Sequence, residues 1–229
     1  MYIYGKNASK DAILKENIKK AFVYKNFKEN EIITLLKNKN VKTEYLEKYE
    51  LDKIQKGNHQ GIILEVEDYK YYSLDDITDD TIVMLDYLED PHNFGAIIRT
   101  CEAAGIKNII IPKDRSVKVT STVIKVSVGA IENVKIIMVS NLVNTINKLK
   151  SKGYWIIGTD MVGEDYRQID YTGKTVIVIG SEGNGLSRLI EEKCDFIASI
   201  PMNGKVNSLN ASVAAALIIY ESQRGKINV

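Results

Sequence analysis

Between Thr81 and Pro201 the chain carries six short apolar runs rich in β-branched residues: TIVMLDYL, KNIIIPK, VKIIMVS, YWIIGTD, KTVIVIG and DFIASIP. A strand with one wet face alternates polar and apolar residues. These runs do not alternate, so each is expected to be a strand buried on both faces. Helical stretches lie between most of them: FGAIIRTCEAAG, STVIKVSVGAI, NLVNTINKLKSKG and LSRLIEEKC. Strand–helix alternation of this kind predicts an α/β domain, a parallel sheet covered by helices on both sides. Ligands of such sheets bind at the carboxyl ends of the strands, so the loops that follow the strands are where chemistry is expected.

Residues 1–67 alternate shorter elements. A helix near Ser9–Lys15, a strand at KKAFVYK, a helix at ENEIITLLKNK, a strand at VKTEYL, a helix at EKYELDKIQ and a strand at GIILEVE predict a small α/β domain. Residues 68–80 (DYKYYSLDDITDD) are acidic, lack periodicity and read as a linker to a larger domain at 81–229. The net charge of +1 hides a division: residues 1–60 sum to +5, residues 61–90 to −9 and residues 91–229 to +5. Two basic blocks are read either as solvated surface or as faces turned to a polyanion, and charge alone leaves both open.

No apolar run approaches the length of about 18 residues that a membrane span requires. MYIYGKNASKDA lacks the apolar core of a signal peptide, so a cytoplasmic protein is expected. Cys101 and Cys194, each in an apparent helix, are expected to be reduced core residues. Two histidines and two scattered cysteines do not build a zinc site, and no metal is expected.

Three loops carry candidate chemistry. In LEDPHNFGAIIRTCEAAG (88–105), Asp90-Pro91 favours a turn, Asn93 is a candidate N-cap and Gly95-Ala96 allows close backbone approach. Arg99, about two turns into an otherwise apolar helix, calls for an anionic partner such as a carboxylate or a phosphate. His92 reads either as an acid–base group or as a structural turn residue. In VIVIGSEGNGLSRLIEEKC (176–194) the glycines lack the spacing of a dinucleotide or phosphate loop. Glu182 would repel a pyrophosphate, so the loop suits a cationic or neutral ligand, or Gly183 and Gly185 simply permit a tight turn.

The third loop is IPMNGKVNSLNASVAAALIIYE (200–221). VAAALIIY is apolar on every side and predicts a helix buried all round. Ser208 is a candidate cap, yet Lys205, Asn207 and Asn210 add polarity beyond one cap's need. Such uncharged donors and acceptors at a helix start suit a polar small molecule or a hydroxyl.

Taken in order, DPHNFGAIIRT, IGSEGNGLS and IPMNGKVNSLNASVAAAL resemble the three motifs of the SpoU (TrmH-like) RNA ribose 2′-O-methyltransferases of the SPOUT class. The resemblance covers roughly residues 81–224, with KDRS (113–116) and KVSVGAIE (125–132) also matching. Tyr4-Gly5 and HQGI (59–62) resemble the family's small L30e-like substrate-binding domain. Cys101 and Ala211 depart from alanine and valine, the residues often found there. The combination is most similar to members that methylate a guanosine ribose of 23S ribosomal RNA.

The resemblance implies a catalytic domain with a deep trefoil knot, S-adenosylmethionine as methyl donor, an RNA partner and a homodimer whose sites draw on both subunits. It implies catalytic roles for Asn93, Arg99, Glu182, Ser208 and Asn210. Arg99 would engage the target phosphate and help deprotonate the hydroxyl across the dimer. Thr159, Gly180, Gly183, Ile200, Met202 and Leu209 would line the donor site. The rival readings are a tRNA ribose 2′-O-methyltransferase, an RNA-binding scaffold without catalysis, and a nicotinamide-dependent dehydrogenase. The missing glycine fingerprint speaks against the last.

Overall fold

In the first unit, Met1–Lys70, strand β1 (Tyr2–Tyr4) precedes helix α1 (Lys6–Lys15), β2 (Ile18–Tyr24), α2 (Asn30–Asn38), β3 (Thr43–Leu46), α3 (Lys48–Ile54) and β4 (Ile62–Val66). The strands form one mixed sheet in the order β1-β4-β2-β3. Successive side chains of β2 point to opposite faces. Ala21 and Val23 join Ile13, Ile32 and Leu36 of α1 and α2 in one core, whereas Phe22 meets Leu51 of α3 on the other side. The strand β1, too short for periodicity to betray, is absent from the sequence reading. A computed structural model supplies these coordinates and describes residues 1–15, 17–181, 183, 185–206 and 208–226.

Buried His59 ties down the turn before β4. Its Nδ1 accepts from the Gly61 N–H at 3.0 Å, so the ring proton sits on Nε2, which donates to Asp52 at 3.0 Å.

The second unit, Tyr71–Val229, contains β5 (Thr81–Leu85), α4 (Pro91–Ala103), β6 (Asn108–Pro112), α5 (Ser121–Ser127), β7 (Lys135–Val139), α6 (Leu142–Ser151), β8 (Trp155–Asp165), β9 (Thr175–Ile179), α7 (Arg188–Glu191), β10 (Phe196–Ser199) and α8 (Ala211–Ser222). Six strands form a parallel sheet in the order β10-β8-β9-β5-β6-β7. Every residue of β5, β6 and β9 is buried, as their unbroken apolar runs require. Most of the acidic segment, from Tyr71 onward, joins this unit: Tyr72 runs beside β7, its N–H donating to Ile136 O at 2.9 Å and its carbonyl accepting from Met138 N at 3.3 Å.

Three local readings are corrected. Helix α7 is only four residues long, and Cys194 lies beyond it, its Sγ donating to Ile190 O. The helix after Ser121 stops at Ser127, and Ala130–Glu132 form a separate 3-10 turn. Helix α8 is not buried all round, because Val213, Leu217 and Tyr220 are 49%, 39% and 48% exposed. An apolar sequence reports what a helix prefers to touch, and within one chain only one face of α8 is covered. Both cysteines are free thiols. Burial pushes Cys194 up to about 12 and Cys101 further still, which leaves both inert at neutral pH.

Candidate active site at the carboxyl edge of the parallel sheet

The middle of β8 and the segments that follow β9 and β10 meet the start of α8 around one cavity of about 430 Å³. Thr159 comes from β8, Gly180 and Gly183 from the loop after β9, and Ile200, Met202 and Leu209 from the loop after β10. Ser208 and Asn210 also line it, with Ala198, Ala214 and Ile218 adding apolar surface. Eight of the eleven residues singled out from the sequence therefore converge here, although 51 positions separate the first from the last.

Gly180 and Gly185 of the β9 loop are there for contact, whereas Gly183 (φ +80°) faces open space and serves the turn's left-handed backbone. A Cβ on Gly180 would stand 2.4 Å from the Gly185 carbonyl carbon, and Gly185 is left-handed at φ +64°. Ser181 and Gly185 exchange backbone bonds of 2.9 and 3.1 Å, which closes the tight turn. The same loop is fastened to β5 by the buried carboxylate of Asp86, whose Oδ2 accepts from Ser187 N at 2.6 Å. Gly95, by contrast, gives close approach to a helix rather than a ligand: a Cβ there would lie 2.6 Å from Val126 Cβ.

Two caps differ from the sequence reading. Asp90, not Asn93, caps α4, accepting from His92 N at 3.3 Å and Asn93 N at 2.9 Å, with Pro91 at the first helical position. A carboxylate set one residue before proline is placed to reach the next two N–H groups. Asn93 is instead buried inside the first turn, and exposed His92 lends the cap its backbone. Asn210, not Ser208, caps α8: its Oδ1 accepts from Ser212 N at 3.0 Å and Ser212 Oγ at 2.6 Å. Ser208 is left on the cavity wall.

Arg99 is exposed on α4, and neither it nor Asn93 lines the cavity. Six positions along a helix turn a side chain to a different face, which is why one is buried and the other is not. Glu182 and Asn207 lie outside the described residues. Asp160 and Ser181 belong to the cavity and escaped sequence reasoning. Asp160 accepts from its neighbour Met161 N at 2.6 Å and would be 2.6 Å from a Cβ on Gly185. The available signal was the carboxylate that closes the apolar run YWIIGTD, although β8 continues past it to Asp165. Among the described residues no three His, Cys, Asp or Glu side chains are grouped to hold a metal, and no helix is long and apolar enough to cross a membrane.

Comparison with known proteins bears on this site. The model of the SpoU rRNA methylase family matches residues 80–220, and a model described as RNA 2′-O ribose methyltransferase substrate binding matches residues 2–72. The putative TrmH family tRNA/rRNA methyltransferase YacO of Bacillus subtilis is 41% identical, covering 97% of this chain and 95% of its own. A putative TrmH family tRNA/rRNA methyltransferase of Staphylococcus saprophyticus is 44% identical over 96% and 93%. Among solved structures, an AdoMet-bound rRNA methyltransferase from Sinorhizobium meliloti superposes with a TM-score of 0.73 at 26% identity, over 99% of this chain and 88% of that one. The A. aeolicus TrmH/SpoU tRNA modifying enzyme gives 0.60 at 35% identity, over 65% and 76%. With one model spanning the whole parallel sheet and close relatives matching end to end, this chain belongs to the SpoU rRNA methylase family.

Proposed function

We propose that this chain transfers the methyl group of S-adenosylmethionine to a ribose 2′-hydroxyl of structured RNA, a guanosine of 23S ribosomal RNA. The convergence of Thr159, Gly180, Gly183, Ile200, Met202 and Leu209 on one cavity is the observation that carries the reading. A cavity of that size accepts a ligand of this class. Ile200, Met202 and Leu209 offer an apolar wall for a flat base, and Thr159, Ser208 and nearby backbone groups offer polar contacts. Asp160 and Glu182 are carboxylates in the segments that form the cavity, which suits a cationic ligand. When bound, the donor supplies an electrophilic methyl group on a sulfonium.

The chain's own residues then have to hold a hydroxyl in line with that methyl and remove its proton, so orientation supplies much of the rate. Asn210 is preorganised, because the capping bonds fix its amide; with Ser208 it faces the ribose. Arg99 grips the target phosphate and favours loss of the hydroxyl proton, with Asn93 and Glu182 ordering that neighbourhood. Since Arg99 stands away from the cavity of its own chain, it serves the site of a second copy. Val213, Leu217 and Tyr220, exposed at helical spacing on α8, give a homodimer its apolar seam. The same proposal includes the deep knot: strands β8, β9 and β10 adjoin one another, and the middle of β8 and the segments after β9 and β10 wrap a single cavity.

Residues 1–67 serve as the RNA-binding domain, 68–80 as a linker and 81–229 as the methyltransferase domain, working in the cytoplasm where the RNA is. The ribosomal target is favoured over tRNA because the superposed rRNA enzyme covers 99% of the chain and the tRNA enzyme only 65%.

Calorimetry is expected to give S-adenosylmethionine binding and none of NAD. Arg99→Ala is expected to keep donor binding and lose methylation of protein-free 23S RNA by at least about a hundredfold. Methylation surviving that change sinks the catalytic assignment, and a folded protein without donor binding favours the scaffold reading. Mapping 2′-O-methyl sites in cells with and without the gene identifies the nucleotide. Loss of residues 1–67 should weaken RNA binding more than donor binding.

A further inference from the structure

Five non-glycine residues among those described adopt left-handed backbone: Asn40, Gln60, Tyr87, Arg115 and Val128. Asparagine tolerates this region, and Val128 takes it at the end of α5, where helices commonly turn left-handed. Gln60 takes it in the turn tied down by His59, its side chain accepting from Lys6 N. Tyr87 (φ +55°) and Arg115 (φ +51°) lie in no such turn or helix end and rest on each other, the guanidinium carbon 5.1 Å from the ring centroid. They stand 28 residues apart, on the loops that follow neighbouring parallel strands β5 and β6.

The two loops are clasped so that the strained conformation persists. Leu88 O accepts from Val117 N at 2.8 Å and from Ser116 Oγ at 3.2 Å. Lys118 Nζ folds back on the carbonyls of Pro112 and Lys113. Strained non-glycine residues concentrate at ligand clamps, where the surrounding structure holds them for a purpose. An ordinary surface stack needs no left-handed residue at either end.

The chemistry of the pair is specific. Arg115 is exposed, and among the described residues no carboxylate pairs with it. Its guanidinium lies over the Tyr87 ring, which restrains it and leaves N–H groups for two oxygens of an anion such as a phosphate. The strand order β9-β5-β6 ranges these parts along one edge. The cavity lies at the end of β9, Tyr87 follows β5 and Arg115 follows β6, and the ends of β9 and β6 are two strand spacings, roughly 10 Å, apart. An RNA strand that presents a ribose at the cavity and continues along this edge carries its phosphates toward Arg115.

We infer that Arg115, held rigid by its stack on Tyr87, binds a phosphate of the RNA backbone flanking the methylated nucleotide. This rests on the reading of the chain as an RNA methyltransferase and adds a substrate-binding residue to it. A rigid arginine loses little freedom on binding, so it adds affinity without touching the reacting atoms.

The test uses the full chain and an unmodified transcript of 23S ribosomal RNA, with binding measured between 50 and 200 mM salt. Arg115→Ala and Arg115→Gly are expected to weaken RNA binding about fivefold to tenfold. Each should lower the slope of log affinity against log salt by about one. Affinity for S-adenosylmethionine should not change. Arg115→Gly also relieves the left-handed backbone, so its melting temperature is expected to equal or exceed wild type while RNA binding falls. Arg115→Lys should recover only part of the loss. Unchanged RNA affinity and salt slope overturn the proposal, as does a melting temperature that drops with affinity in Arg115→Gly. Full recovery by lysine overturns the role of the stack. If wild type fails to bind S-adenosylmethionine, the methyltransferase reading falls, and the salt slopes still decide whether Arg115 holds a phosphate.

Discussion

The two edges of the parallel sheet are built from the same apolar strands and end very differently. At the amino edge, polar groups close on one another. Tyr154 Oη donates to Asp79 O at 2.8 Å, Asn108 Nδ2 donates to Asp79 Oδ2 at 2.8 Å, and Thr175 N donates to Asp80 O at 2.7 Å. At the carboxyl edge stand a cavity, a turn closed on Gly180 and Gly185, a buried carboxylate and two left-handed residues. The amino edge holds a cavity of its own, of about 390 Å³, lined by Asp80, Tyr154 and Lys174. The difference teaches that left-handed backbone at Tyr87 and Arg115 and close glycine packing, rather than polarity or volume, mark the functional side of this sheet.

The sharpest way to break the comparison is Gly180→Ala. The new methyl group meets backbone rather than a yielding side chain. We expect a loss of about 3 kcal/mol or more in denaturant unfolding together with loss of calorimetric donor binding. Wild-type melting would show that the turn has room to relax. Asp86→Ala comes next. It strips the Ser187 N–H of its acceptor, at about 1–3 kcal/mol, and should loosen donor binding as the loop detaches.

At the amino edge, Tyr154→Phe removes one hydrogen bond to Asp79. It is expected to cost about 1 kcal/mol and to leave donor affinity unchanged. A donor affinity altered more than about twofold would mean that the edges are not separable. The smallest effect belongs to Asp165, at the end of β8. Its hydrogen bonds with Arg167 hold the carboxyl at about 2, below its usual 3.8. Because the folded value is depressed, the pair's contribution is complete above about pH 4 and disappears as pH falls through about 2. Asp165→Asn should flatten that acid limb of the stability curve, its small loss of stability showing at neutral pH and vanishing below about pH 2.

Much of the parallel sheet was legible because its signal is local. Ile82, Val83 and Met84, or Ile109, Ile110 and Ile111, are apolar in succession, and a strand buried on both faces demands that. The cavity residues were reached through the motifs they sit in, and eight of them do meet. Caps were harder. Asp90 and Asn93 are both good capping residues, as are Ser208 and Asn210, and only the backbone's entry path selects one of each pair. Asp160 was missed because a carboxylate closing an apolar run looks like any solvated strand end until a glycine from another loop is seen against it, midway along β8. The outward face of α8 was misread for the related reason that composition records an apolar face without saying what covers it.

Periodicity and motif spacing therefore determined most of the elements, the two-part α/β organisation and the segments that meet at the cavity, since each depends on neighbours a few residues apart. The tertiary structure decided the strand order, the cap that each helix uses, the glycine contacts of the β9 loop and the stack of Tyr87 on Arg115. These join positions tens of residues apart, and their formation depends on how loops close and how densely the interior fills. No local pattern in the chain records that.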